Sequence, residues 1–136
     1  MFSSLRDRAK ISFQSKKVKS VIYITQLPSR FDPLTERWSP TVDVTAAQLL
    51  GELRFMFPPG INVQDVTTAA EEMKAALANF NPEEDHFLPM ADPVLMVLGA
   101  AQLGARFGRF SMLKWDRHAR KYFPHVIETF QKGKSE

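Results

Sequence analysis

Residues 86–117, HFLPMADPVLMVLGAAQLGARFGRFSMLKWDR, leave few options for the fold. Phe87-Leu88-Pro89-Met90 is a short apolar run, and Asp92-Pro93 follows it. An aspartate accepts hydrogen bonds from the free N–H groups of a helix start, and proline is preorganised for the first helical position. Val94, Leu95, Val97, Leu98, Ala101 and Leu103 predict a helix over 93–105 that is apolar on most of its circumference, and such a helix is buried. Gly104 or Gly108 ends it, because glycine takes the left-handed terminating conformation without penalty. Residues 110–115 read as a strand. Strand, helix and strand make one βαβ crossover, whose strands are parallel.

Upstream, residues 21–25, VIYIT, are β-branched and aromatic and read as a strand. Residues 30–40, RFDPLTERWSP, are held out of a central strand by Pro33 and Pro40. Arg30-Phe31 and Arg37-Trp38 pair around the Asp32-Pro33 turn as a short exposed hairpin, with cations beside aromatics. Asp43 or Thr45 caps a short helix over 46–50, stopped by Gly51. Residues 53–57 form a second strand, and Pro58-Pro59-Gly60 a rigid turn. Thr68-x-x-Glu71 is a capping box that opens a helix running to about Asn79. Its apolar face is Ala69, Met73, Ala76, Leu77 and Phe80, and Asn81-Pro82 ends it. Residues 121–127, KYFPHVI, form a last strand; Pro124 makes it an edge strand, paired in an antiparallel hairpin with 110–115.

The fold class is therefore α/β: a small single domain with a mixed sheet of four to five strands. Its parallel βαβαβ centre passes from 53–57 through 87–90 to 110–115, and a C-terminal antiparallel hairpin closes it. The expected organisation is a basic arm over 1–20, the domain over 21–130 and a polar tail over 131–136. A chain of 136 residues can bury one core without staples. It has no cysteine, which excludes a disulfide scaffold and thiol chemistry. No apolar run approaches the ~20 residues of a membrane-spanning helix. The N-terminus lacks the apolar stretch of a secretory signal, although its Arg- and Ser-rich, acid-poor character also suits a transit peptide.

Charge is unevenly placed. Residues 1–20 hold six basic residues and one acid, residues 21–104 four basic and eleven acidic, and residues 105–121 six basic and one acidic. Two basic blocks thus flank an acidic middle, a pattern that suits nucleic acid or an acidic protein partner. In the first block Phe2, Leu5, Ala9 and Phe13 share one helical face, so it can be an unstructured arm or a docking helix. The candidate contacts are Arg6, Arg8, Lys10, Lys16 and Lys17 in the arm, and Arg109, Lys114, Arg117, Arg120 and Lys121 in the hairpin. Arg106, His118, Trp115 and Tyr122 accompany the latter. A charged hairpin can track a nucleic-acid backbone; positive charge also guards an edge strand against unwanted pairing.

No catalytic motif is present, so a binding role is favoured over an enzyme. The three histidines lack metal-ligand spacing, and no zinc site is expected. Glu83, Glu84 and Asp85 could hold magnesium, but contiguous acids in a turn are more often solvated. Gly-rich phosphate loops are absent, and no cofactor is expected. The alternative site is the strand end at Pro89, Ala91 and Asp92, where open α/β sheets usually bind small molecules. A nucleotide-like ligand there would meet the negative charge of Asp92, which serves equally well as a plain helix cap.

At Leu88-Pro89-Met90-Ala91-Asp92-Pro93, then Leu113-Lys114-Trp115-Asp116-Arg117, then Tyr122-Phe123-Pro124, the chain resembles small accessory proteins encoded by tailed bacteriophages. Ile22-Tyr23-Ile24 and Pro28-Ser29-Arg30 are also similar, so the resemblance covers roughly residues 21–127. Those proteins carry Leu-Pro-x-Gly-Asp-Pro, Leu-Lys-Trp-Asp-Arg and Tyr-x-Pro. Ala91 stands where their pattern has glycine, which weakens a ligand site that needs close backbone approach. The resemblance implies no particular activity. It implies a phage accessory protein acting in the host cytoplasm or in the virion. Binding of nucleic acid or a macromolecular partner is read from the basic arm and hairpin, and a virion structural or oligomeric component is the further alternative.

Overall fold

The computed structural model describes residues 20–61 and 63–129. The basic arm, with Arg6, Arg8, Lys10, Lys16 and Lys17, and the polar tail lie outside the described residues.

Six consecutive buried residues define β1 (Val21–Gln26). Val21 to Ile24 are apolar on successive positions, which suits a strand covered on both faces, and β1 is the inner strand beside which the others assemble. A two-stranded hairpin follows, β2 (Ser29–Asp32) with β3 (Arg37–Pro40), and then a 3-10 helix (Thr45–Leu49). The chain continues through β4 (Glu52–Phe57), α1 (Val66–Ala76), β5 (His86–Leu88), α2 (Pro93–Phe107), β6 (Arg109–Asp116) and β7 (Lys121–Glu128). The main sheet has the order β4-β1-β5-β6-β7. β1 is parallel to both β4 and β5, β5 is parallel to β6, and β6 and β7 form the antiparallel hairpin.

The α/β class, the five-stranded mixed sheet and the closing hairpin agree with the sequence reading. One adjacency does not. The strand at 53–57 does not neighbour the one at 87–90, because β1 lies between them. Val21 and Tyr23 face the helices while Ile22 and Ile24 face the opposite side, so only an inner position buries all four.

Two cores result. Tyr23, Phe87 and Phe110 pack with Met73 and Leu77 of the first helical segment and with Leu95 and Leu103 of α2. Across the sheet, Ile22, Ile24, Leu88, Leu113 and Tyr122 pack under Val44 and Ala47 of the 3-10 region. Burying side chains of this size contributes roughly 1.5–3 kcal/mol each. α2 lies close against the sheet at Gly99, where an added Cβ would sit 2.6 Å from the Phe87 ring.

α2 is not buried all round, as its composition suggested. Leu95, Gly99 and Leu103 are buried, but Val97 is 66% exposed, because the helix covers one sheet face and nothing among the described residues covers its outer side. Its ends match expectation: Asp92 Oδ1 accepts from Val94 N–H at 2.8 Å, and Gly108 closes it at φ 79°. α1 starts three residues earlier than the Thr68 capping box implied. Asp65 is its cap, accepting from the Thr68 N–H at 3.2 Å and from the Thr68 hydroxyl at 2.8 Å. Thr68 therefore donates to a cap instead of being one. Arg106 donates to Leu77 O at 2.8 Å and covers the far end of that segment.

The acidic turn also differs from expectation. Asp85 is only 1% exposed. Its carboxylate accepts from Val21 N–H at 3.0 Å and Asn81 N–H at 2.8 Å, tying the start of β1 to the turn before β5. Next to it, His86 Nδ1 lies 2.6 Å from Ser111 Oγ. Burial holds His86 below its ordinary range, with the charge of Asp85 offsetting part of that effect.

Asp85→Ala strands two backbone donors and is expected to lower the unfolding free energy by about 3 kcal/mol in urea denaturation. His86 takes up a proton less readily folded than unfolded, so the unfolded chain binds more protons below about pH 6.5. The His86 contribution is full above that pH and is lost as the pH falls toward the depressed folded value. Denaturation curves collected from about pH 7 down to pH 5 should show declining stability, with a flatter decline in His86→Gln.

Candidate nucleic-acid interface

All four parallel strands end at one edge of the sheet. From that edge emerge the β2–β3 hairpin, the Pro58-Pro59-Gly60 turn, the loop from Pro89 to Asp92 and the tip of the β6–β7 hairpin.

The two hairpin tips are built alike. In one, Asp32 O accepts from Glu36 N–H at 2.7 Å, Asp32 Oδ1 accepts from Leu34 N–H at 2.9 Å, and Glu36 has φ 57°. In the other, Asp116 O accepts from Arg120 N–H at 2.8 Å, Asp116 Oδ1 accepts from His118 and Ala119 N–H at 2.9 and 3.1 Å, and Arg120 has φ 55°. The flanking residues correspond as well. Arg30, Phe31, Asp32, Arg37 and Trp38 take the places of Lys114, Trp115, Asp116, Lys121 and Tyr122. Phe31 and Trp38 face each other at 5.2 Å between ring centroids, Trp115 and Tyr122 at 5.0 Å. Such pairs stabilise a hairpin by roughly 0.2–1 kcal/mol each. A short side-chain acceptor that folds the turn, one left-handed residue and an aromatic clasp behind it are the shared solution. It is a local repeat that sequence reading missed, because of the five corresponding positions only the aspartate is identical in the two copies.

Strand alternation puts cations and aromatics on opposite faces of each tip. Trp38 packs over Gly60, where an added Cβ would lie 2.4 Å from its ring, so the first hairpin is braced against the turn after β4. In the second, Tyr122 is buried beneath the 3-10 region, and burial together with the charge of Asp43 raises its hydroxyl above the ordinary range. It stays neutral and anchors the hairpin base.

The tips differ in charge. Pro33-Leu34-Thr35-Glu36 is apolar and acidic, whereas Arg117-His118-Ala119-Arg120 is basic. On the cation face of the second hairpin, Phe123 lies directly opposite Lys114 in register. Lys114, Arg117, His118, Phe123 and His125 line an open recess there, with Phe123 41% exposed. Asp116, the one acid in this recess, is engaged by the turn. Among the described residues the one ion pair is Arg109–Glu128, at 3.8 Å, so none of Lys114, Arg117, Arg120 and Lys121 is ion-paired with a described acid. Four of the five sequence-predicted hairpin cations are thus brought together. Arg109 is not: it starts β6, at the opposite edge of the sheet. Phe123 and His125 were missed, although counting alternate residues back from the turn places both beside Lys114.

At the alternative strand-end site the loops are joined by the chain's own hydrogen bonds. The Thr25 hydroxyl donates to Met90 O at 2.6 Å and accepts from Met90 N–H at 2.7 Å. Gln26 Nε2 donates to Pro58 O and Ile61 O, and its Oε1 accepts from Asp92 N–H at 3.2 Å. Asp92 Oδ2 accepts from Val63 N–H at 3.2 Å, so both carboxylate oxygens already have protein donors. Pro89 leads into this bridge, and Ala91 sits in it at φ 72°. Among the described residues no cluster of three or more metal-ligating side chains occurs, and no helix is long and apolar enough to cross a membrane.

The model of a phage family, the Phage Pam3 gp32-like proteins, matches residues 20–129, the whole sheet with both hairpins. The chain belongs to the Phage Pam3 gp32-like protein family. Comparison with curated proteins and with solved structures gives no match. Within this Pam3 gp32-like chain, the left-handed backbone at Ala91 accounts for the glycine that the phage resemblance anticipated there. The position favours glycine for its backbone angle, whether or not a ligand approaches.

Left-handed backbone costs an L-residue roughly 1–2 kcal/mol, part of which glycine gives back as unfolded-state entropy. Ala91→Gly should therefore raise stability by about 1 kcal/mol, read as a shift in the urea midpoint at unchanged slope.

Proposed function

We propose that this phage protein is a non-enzymatic accessory protein that binds nucleic acid through the tip of the β6–β7 hairpin, acting in the host cytoplasm or virion. The observation that carries the reading is the recess on that tip, where Lys114 and Arg117 flank a half-exposed Phe123 and, among the described residues, neither is held in an ion pair. Phosphate oxygens are met by lysine and arginine, and an exposed aromatic ring offers a stacking platform to a base. Arg120 and Lys121 extend the charge around the turn. The basic segment over 1–20 adds further sequence-independent attraction to the same polyanion. The strand-end alternative, a nucleotide-like ligand at Pro89, Ala91 and Asp92, is less favoured because the polar groups of Thr25, Gln26 and Asp92 are already spent on one another's loops.

Fluorescence anisotropy with labelled single- and double-stranded oligonucleotides tests this. Affinity should fall steeply with salt, and Lys114→Ala or Arg117→Ala should weaken binding and reduce the salt slope by about one each. Phe123→Ala should cost roughly 1–3 kcal/mol of single-strand binding while leaving the salt slope unchanged. Absence of binding by the full chain at low ionic strength would refute the reading.

A further inference from the structure

The two edges of the main sheet are treated differently. β7 carries Pro124 and Lys121, residues that discourage pairing with another chain. β4, ELRFMF, has no proline, no lysine and no break in its register with β1. Glu52 N–H donates to Ser20 O at 2.9 Å, so Glu52 turns its backbone groups toward β1. By alternation, Leu53 and Phe55 turn theirs outward, away from the sheet. Phe55 is 47% exposed, and Leu49, just before the strand, is more exposed still.

We propose that β4 is a homodimer interface, pairing antiparallel with β4 of a second copy about a two-fold axis at Leu53. The strand is complementary to itself in this register alone. Leu53 meets Leu53 as a hydrogen-bonded pair, which its outward backbone groups require. Glu52 then lies opposite the second copy's Arg54, and Arg54 opposite the second copy's Glu52. These are non-hydrogen-bonded positions, where side chains approach most closely. Arg54 is already positioned, its guanidinium 5.1 Å over the Tyr23 ring and donating to the Tyr23 hydroxyl at 3.0 Å. Neither Glu52 nor Arg54 has an ion-pair partner among the described residues. Phe55 falls opposite Gly51 of the second copy. Shifting the axis to Phe55 would set Arg54 against Met56 and lose both ion pairs. The result is a continuous ten-stranded sheet with isologous contacts.

Sedimentation velocity on the full chain over a wide concentration range tests the proposal, with a monomer–dimer equilibrium expected. Glu52→Arg and Arg54→Glu each turn two attractions into repulsions and should weaken dimerisation on the order of tenfold or more. The double exchange E52R/R54E restores complementarity and should restore the dimer. Phe55→Lys, at a position outside the ion pairs, should also weaken it. A monomer at every concentration overturns the proposal and leaves the edge to residues 1–19 or to another protein. Single reversals without effect, or a double exchange that fails to rescue, overturn it equally.

Discussion

Burial of β1 on both faces is the constraint from which the rest of the molecule follows. A six-residue strand with apolar side chains pointing both ways must have a layer on each side and a strand on each flank. The helices supply one layer and the 3-10 region the other. The buried polar groups at its ends then need partners, and they find them in other elements. Val21 N–H donates to Asp85, the Thr25 hydroxyl bonds to Met90, and Gln26 joins the loops after β4 and β5. Buried polar groups are costly when unsatisfied, so each of these bonds fixes a loop as firmly as packing fixes a helix.

In open α/β sheets the crevice at the strand ends is the usual ligand site. Here Gln26 and Asp92 carry hydrogen bonds across it. Two hairpins of one design flank it, one tipped with apolar and acidic residues, the other with cations around Phe123. The same turn chemistry thus carries two different surfaces, since the aspartate and the left-handed residue set the shape while the intervening residues are free to vary.

Much of this was legible in the sequence. VIYIT, the Asp92-Pro93 helix start, Gly108 and the edge proline Pro124 each announce an element through backbone chemistry that acts over a few residues. The strand order was harder, because which strands pair is settled by burial summed over the whole sheet. The apolar run Val21-Ile22-Tyr23-Ile24 was the available clue to an inner position. Asp85 was misread for a related reason: a carboxylate in a run of three acids looks solvated until the donors that reach it, Val21 and Asn81, are folded around it. At the candidate site, the cations were visible as a charge cluster, but the split between Arg109 and the tip needed the strand direction. Phe123 needed the register.

The chain enters the described domain at Ser20 and leaves it at Thr129, and both stand at the edge opposite the hairpins: Ser20 O accepts from Glu52 N–H, and Thr129 N–H donates to Gly108 O. Whatever precedes or follows the domain is therefore tethered at its back. A fused module, an immobilising tag or a neighbouring subunit joined at either point would hold the domain like a handle, with both hairpin tips facing away from it.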